Sequence, residues 1–382
     1  MSVLQPGAIA SRTLPAAPSQ RLSPLHVLAG VLLGLPVSYP DVPYYWAAFA
    51  VMVIALFTTP LDRLNRSPGL ALCVLALCGV ATLSNLLSPY AYVREPARFL
   101  TSSVFYLFFM VGLLAWDRAR ELMAGLAAAI LLQALAVLAL SVVKFRWSVG
   151  VLNWTVPELR LWGSPWFPDW PNFYAILLST GFLLFLLHYR RWLPAGICMA
   201  AGILTTSRSV YLALAIGIAW LALSGRGLRG VLRAVGVAAI TVLAAMALVR
   251  VLAGADGLGE LIERMSVLSD REEIWASSLR LFTHNPWLGL GGVTLDESVG
   301  HTGHASFHNS FAEVLVRHGV IGFALYLALL SIYATRVRAG HAGCAVLLFY
   351  LLTALFQNTL RHPHFFMMFS FFAIAAIPKA RE

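Results

Sequence analysis

Three histidines stand close together where an otherwise apolar chain becomes polar. His301, His304 and His308 lie in the run from 301 to 323, just before the sequence returns to membrane-like hydrophobicity. Ionisable side chains are costly at the edge of a membrane bundle, so a cluster of them indicates a functional site. Because an imidazole exchanges a proton near neutral pH, the cluster predicts acid–base chemistry.

His308 differs from the other two in its position before a predicted helix. The run Ser310-Phe311-Ala312-Glu313 has the form of a capping box, which predicts a short helix that starts there and ends at Gly319. The positive end of a helix dipole disfavours an imidazolium beside it. We therefore expect a neutral His308 that acts as a general base. The alternative is a histidine that only caps the helix.

Metal binding is a different interpretation of the same histidines. On a helix, the i, i+3, i+7 spacing of His301, His304 and His308 would direct all three to one face, where they could bind zinc. Gly300 and Gly303 weaken such a helix, and no acidic residue lies among the three histidines. We expect no metal and no cofactor.

The composition predicts an all-α integral membrane protein. Of the 382 residues, 59% are hydrophobic and 12% charged, whereas a soluble domain has roughly 25% charged residues. Apolar runs of ~20 residues span a bilayer. We predict twelve spans in a single membrane domain over 1–382, at about 24–39, 42–59, 68–88, 99–116, 121–143, 172–188, 192–206, 209–224, 230–253, 319–335, 341–360 and 364–378.

The distribution of basic residues predicts the orientation in the membrane. If both termini are cytoplasmic, the inner loops and the two termini together have a large excess of Lys and Arg over acidic residues, whereas the outer side is nearly neutral, as the positive-inside rule requires. The net charge of +10 then needs no nucleic acid partner. The inner loops also contain no glycine-rich phosphate-binding motif.

An aromatic loop is predicted on the outer face over 144–171. It contains five tryptophans and four prolines: Trp147, Trp154, Trp162, Trp166, Trp170, Pro157, Pro165, Pro168 and Pro171. Such residues commonly form a belt at the membrane interface. The alternative is a platform that stacks against sugar rings or guides a lipid.

The segment 254–318 is predicted to be a long outer loop that contains short helices. A capping box at Ser269-Asp270-Arg271-Glu272 predicts a helix start near Asp270. Helical spacing predicts one buried face of this helix, made of Ile274, Trp275, Ser278, Leu279 and Phe282. His284-Asn285-Pro286 should end the helix, and Gly289, Gly291 and Gly292 predict a flexible turn.

Four motifs resemble those of the bacterial O-antigen ligase and polymerase superfamily. His308-Asn309, nine residues and then Gly319-Val320-Ile321-Gly322 resemble its signature. Three others occur in the expected order: Ser207-Arg208-Ser209-Val210-Tyr211-Leu212, Arg271-Glu272-Glu273-Ile274-Trp275, and His284-Asn285-Pro286-Trp287-Leu288-Gly289-Leu290-Gly291. The resemblance implies a GT-C-like glycosyltransferase in the bacterial inner membrane, with its active site facing the periplasm and no metal requirement.

Three activities occur in this superfamily. The ligases, which we favour, transfer a glycan from undecaprenyl diphosphate to the lipid A–core oligosaccharide. The polymerases extend such glycans but match the His-Asn motif less well. The protein O-oligosaccharyltransferases have a longer C-terminal region than this chain, which ends four residues after the last predicted span. A lipid or polysaccharide transporter is the non-enzymatic alternative, although we find no inverted repeat.

A lipid-linked diphosphate requires cations on the outer face. Arginine grips phosphate through its planar fork, and arginines dominate that face. Arg208 is the first candidate, although it could instead be an arginine that snorkels at the end of a span. Arg271 is the second, with an exposed first-turn residue as its alternative. The remaining candidates fall into two roles: Arg94 and Arg98 for the diphosphate, and His304, His301, Asn309, Glu313, Trp275 and Arg361 as supporting residues.

Overall fold

A computed structural model describes the chain in a set of segments. These are residues 24–34, 68–96, 99, 102–103, 105–107, 119–148, 171–204, 212–213, 215–216, 219, 236, 239–240, 243, 247, 271–295, 307–336 and 342–356. All regular secondary structure in these segments is helical. The predicted all-α class is therefore confirmed for this part of the chain.

The helices are numbered in chain order. They are α1 (Pro24–Gly34), α2 (Pro68–Leu87), the 3-10 turns η1 (Ala91–Arg94) and η2 (Phe105–Leu107), α3 (Ala119–Ser148), α4 (Pro171–Leu183), α5 (Trp192–Leu204), α6 (Arg271–His284), α7 (Ser310–Arg336) and α8 (Ala342–Phe356). A π-helical turn, Leu184–His188, extends α4.

Three of the described helices are long and apolar enough to cross a membrane. They are α2, the part of α3 from Glu121 to Ala139, and the part of α7 from Ser310 to Thr335. Shorter apolar helices correspond to α4 with its π-turn, α5 and α8. The predicted spans at 42–59 and 364–378 lie outside the described residues, and those at 99–116, 209–224 and 230–253 are described only at scattered positions. The number twelve thus stays a prediction.

The span expected at 319–335 begins at a kink in α7, because the backbone of Gly319 is non-helical and divides the stretch Ser310–Arg336 there. One predicted boundary is wrong. Helix α3 continues to Ser148 rather than ending at 143, so that Lys144 to Ser148 are helical and not part of the aromatic loop. Charged side chains end an apolar run, but they are good helix formers and do not end the helix itself. Residues 149–170 of that loop lie outside the described residues.

The membrane-type helices share one apolar core. It includes residues from α1 to α5, α7 and α8, among them the fully buried Leu70, Leu77, Tyr326 and Tyr333. Helices α1 and α3 approach each other closely, since a Cβ on Gly125 would collide with the carbonyl of Val27. Small residues allow such close backbone packing, on which helix association in membranes depends.

A second apolar cluster, here called the loop cluster, lies beside this core. It consists of Val93, Ile274, Leu281, Leu290, Val293, Leu295, Phe307 and Val316. Its members come from η1, α6, the segment after α6 and the beginning of α7. Three parts of the chain that are separate in sequence, around η1, over 274–295 and over 307–316, are thereby packed together, and they include three of the four motifs identified above.

Candidate functional site

His308 adopts an unusual backbone conformation directly before α7. Its φ is +48°, in the left-handed region that a non-glycine residue occupies only at a cost of about 1–2 kcal/mol. Its neighbours are fixed, because the side chain of Phe307 is fully buried in the loop cluster and Ser310 is fully buried at the start of the helix. Strained residues persist where their surroundings determine them, which is common at functional sites.

Asn309 is the residue that caps α7. Its Oδ1 accepts hydrogen bonds from the backbone N–H groups of Phe311 and Ala312, at 2.9 and 3.0 Å. These are the bonds of an N-cap residue. The predicted capping box was therefore placed one residue too late, and Asn309 rather than His308 or Ser310 performs the capping. The half-buried imidazole of His308 is not needed for that purpose.

Glu313 is also not the capping residue that the sequence predicts. Its side chain is fully buried, and Oε1 lies 2.8 Å from Nη1 of Arg317 one helical turn later. Arg317 in addition donates from Nε and Nη2 to the carbonyl of Val293, at 3.1 and 3.0 Å. The cation of Arg317 beside it compensates part of the hydration that the buried carboxylate has lost.

The glycine turn, residues 285–293, packs against α7 through its backbone. The N–H groups of Leu290 and Gly291 donate to the carbonyls of Val316 and Arg317, both at 2.9 Å. Gly289 has a φ of +73°, and a Cβ there would collide with the backbone of Arg317. Glycine is required for this close approach. The sequence predicted a flexible turn, but these contacts hold it in place.

Gly319 bends α7 at the point where the glycine turn meets it. Its φ of +62° and ψ of −168° fall in a region that essentially only glycine occupies. Beyond the bend, the N–H groups of Val320 and Ile321 donate to the carbonyls of Pro286 and Trp287, at 2.8 and 3.3 Å. The predicted helix end at Gly319 is thus confirmed as a break, and the glycine turn satisfies backbone groups on both sides of it.

The end of α2 holds the other side of the glycine turn. The hydroxyls of Ser84 and Ser88 donate to the carbonyls of Leu288 and Leu290. Asn85 Oδ1 accepts from the N–H of Gly292 at 2.7 Å, while its Nδ2 donates to the hydroxyl of Ser102 at 2.6 Å. Asn85 is fully buried, and it therefore links α2, the turn and the segment that precedes η2.

Sequence reasoning missed Ser84, Asn85, Ser88 and Arg317. Their signal was present, since Ser84, Asn85 and Ser88 are polar residues one helical turn apart at the end of an apolar span. Polar side chains inside a membrane bundle usually make hydrogen bonds to other segments. The sequence could not tell which segment they contact.

Helix α6 begins at Arg271, as the capping box predicts, and ends at His284. Its buried residues are Ile274, Ser277, Ser278 and Leu281, with Trp275 and Phe282 partly buried. The predicted face was wrong at Leu279, which is 61% exposed. The buried face is centred on the contact with α7, and Leu279 points away from it.

The predicted arginines and histidines are only partly described. Arg94 is exposed at the end of η1, and Arg271 is the first residue of α6. The others lie outside the described residues, namely Arg98, Arg208, His301, His304 and Arg361. The structure places His308, Asn309 and Glu313 at the beginning of α7, and it packs a later part of α7 against the glycine turn. The predicted grouping of these residues with the diphosphate-binding arginines stays a prediction. No metal-binding group occurs among the described residues.

The described segments are helical, and three of their helices are long and apolar enough to cross a membrane, which is consistent with a membrane protein. Residues 193–327 match the Wzy_C family model, described as O-Antigen ligase. This match supports membership of the O-antigen ligase and polymerase superfamily, and the resemblance found in the motifs is confirmed at that level. The chain has no match among the curated proteins.

Proposed function

We propose that this protein is an O-antigen ligase that transfers a glycan from undecaprenyl diphosphate to the lipid A–core oligosaccharide. The observation that carries the proposal is the conformation of His308. This residue has a left-handed backbone and a half-buried ring, and it stands at the beginning of a helix that Asn309 already caps. It also lies within the part of the chain that matches the O-antigen ligase family.

The proposed reaction requires one proton acceptor on the protein. The acceptor sugar hydroxyl attacks the anomeric carbon, the bond from that carbon to the phosphate oxygen breaks, and the diphosphate leaves with the electron pair. His308 takes the proton of the attacking hydroxyl as general base. Direct attack opposite the leaving group inverts the anomeric carbon. Diphosphate is a good leaving group once neutralised, so no general acid is required.

The proposed reaction would take place on the periplasmic side of the bacterial inner membrane. A single domain with twelve spans and GT-C-like architecture, and with both termini in the cytoplasm, would put the segment 254–318 on that side. The support for this orientation is the positive-inside distribution of Lys and Arg. Both substrates carry lipid chains, so donor and acceptor would reach the site from the bilayer. Neither a cofactor nor a nucleic acid takes part.

Arg208→Lys is expected to weaken transfer by about 1.5–3 kcal/mol, roughly a 10- to 150-fold loss in kcat/KM. Lysine keeps the charge but lacks the fork that grips the diphosphate bidentately. The measurement is transfer by the purified protein from a lipid-diphosphate-linked glycan.

Arg191→Lys is the matched control for that experiment, since Arg191 is exposed between α4 and α5, on the side predicted to be cytoplasmic. It should transfer like the wild type. If Arg208→Lys and Arg208→Ala both kept wild-type activity, Arg208 would not bind the donor.

Chelation is expected to leave activity unchanged. The proposed mechanism assigns proton transfer to His308 and charge neutralisation to arginines, so no step depends on a metal. Transfer should therefore survive prolonged treatment with a strong chelator, and elemental analysis should find no stoichiometric zinc. About one zinc per chain, lost in His304→Ala, would support metal-assisted catalysis instead.

The experiment that separates this function from related ones is deletion of the gene, followed by gel electrophoresis of lipopolysaccharide. Loss of the polymer ladder with an intact core band is expected for a ligase. A band with a single repeat would identify a polymerase. An unchanged pattern would contradict both the ligase and the polymerase function. Protein glycosylation or transport would then be the remaining functions.

A further inference from the structure

We propose that Arg317 is a positioning residue that holds His308 in place by joining the first part of α7 to the glycine turn. The inference rests on the proposed function, because it assigns Arg317 a role in the reaction of His308. Neither the motifs nor the family match points to Arg317. The inference depends instead on the contacts that the side chain and the backbone of Arg317 make.

All three nitrogens of the guanidinium contact other groups of the protein. Nε and Nη2 both donate to the carbonyl of Val293, and Nη1 lies 2.8 Å from Oε1 of Glu313. The side chain of Arg317 is 16% exposed and that of Glu313 is 0% exposed. A guanidinium with these partners is not available to grip a donor phosphate. Arg317 therefore differs in role from the arginines predicted to bind diphosphate.

The backbone and the side chain of Arg317 hold the same short stretch of the glycine turn at two points. The carbonyl of Arg317 accepts from Gly291 N, and its guanidinium donates to the carbonyl of Val293. Residues 291 to 293 are thereby fixed along α7. Val293 belongs to the loop cluster, which also contains Phe307. The contact therefore restrains the cluster in which the residue before His308 is buried.

The helix transmits this restraint to His308. The part of α7 before Gly319 contains Glu313, Arg317 and the Asn309 cap, and its first backbone bond runs from Glu313 N to Asn309 O at 2.9 Å. A short helix of this kind moves as one body. A shift at Arg317 would thus displace the cap and the strained His308 backbone next to it. Misplacement of a catalytic group by about 1 Å costs roughly 10²-fold in rate.

Arg317→Lys is the first test. An ammonium cannot form the forked contact with Val293 O while it pairs with Glu313. We expect kcat for glycan transfer to fall by about 10²-fold, while KM for the lipid-linked donor stays unchanged because the donor does not contact Arg317. Tyr326→Phe is the control. This variant removes a buried hydrogen bond between Tyr326, which lies in α7 beyond Gly319, and Tyr350 in α8. It should keep wild-type kcat.

A double variant separates positioning from stability. Arg317→Met alone leaves the buried Glu313 carboxylate without its cation, which destabilises the fold. Combining it with Glu313→Gln removes both charges, so thermal stability should recover. We expect kcat to stay low in the double variant, because the contact with Val293 is still lost. Recovery of kcat together with stability would show a merely structural role and overturn the proposal.

Amide hydrogen exchange tests the contact without any activity assay. Peptides that cover 285–293 should exchange faster in Arg317→Lys than in the wild type or in Tyr326→Phe. Unchanged exchange would overturn the proposed restraint even if transfer were never observed. If instead the wild type failed to transfer glycan while exchange increased as expected, the proposed ligase function would be wrong and the positioning contact would still stand.

Discussion

His308→Ala is expected to lower the turnover of glycan transfer by about 10²–10⁴-fold, the usual cost of removing a general base. The protein should still fold, since Asn309 and not His308 caps α7, and donor binding should persist. Turnover of the wild type should fall as the pH is lowered, because a protonated imidazole cannot accept the hydroxyl proton. The residual activity of the variant should lack this dependence on pH. The measurement is kcat at saturating donor over a range of pH.

His188→Ala is the matched control for this prediction. His188 is exposed at the end of the π-turn after α4, so its loss should leave turnover unchanged. More than a tenth of wild-type turnover in His308→Ala and His308→Gln would contradict the role of His308. The base would then have to be sought at His304 or His301, since Glu313 is buried against Arg317.

Gly319→Ala is expected to destabilise the protein by about 2–5 kcal/mol. The backbone at Gly319 lies in a region that a side chain disfavours, at a cost of order 1–3 kcal/mol. A Cβ would also collide with the backbone of Trp287 and Leu288. Relief of that collision separates the glycine turn from α7 and breaks bonds such as Val320 N to Pro286 O, each worth about 0.5–1.5 kcal/mol. Thermal unfolding in detergent should report the loss, with transfer activity falling in parallel.

Gly79→Ala provides the comparison for that substitution. Gly79 lies inside α2, and a Cβ added there would meet no atom within 4 Å apart from its chain neighbours and the backbone of its own helix. Alanine is favoured over glycine in a helix by about 1 kcal/mol, so the stability of this variant should equal or exceed that of the wild type. If Gly319→Ala were as stable as Gly79→Ala, the bend in α7 would not depend on glycine.

The sequence by itself determined the class of the protein and the location of its motifs. Apolar runs of membrane length predict helices wherever the chain is described, because in lipid every backbone group must bond within the segment. The start of α6 at Arg271 and its end at His284 also follow from local capping and proline rules. The motif around His308 indicates the superfamily that the match over 193–327 supports. These features depend on residues that are near one another in the chain.

The tertiary structure decided how the motifs meet. Both Asn309 and Ser310 are good capping residues, and only the fixed position of Phe307 in the loop cluster and the backbone of His308 show that Asn309 is the cap. The partners of Asn85 and Arg317 lie far away in the sequence, at Gly292 and Val293. Local propensity carries no information about such pairs, because these polar groups need each other as partners only after two distant segments pack together and remove them from water.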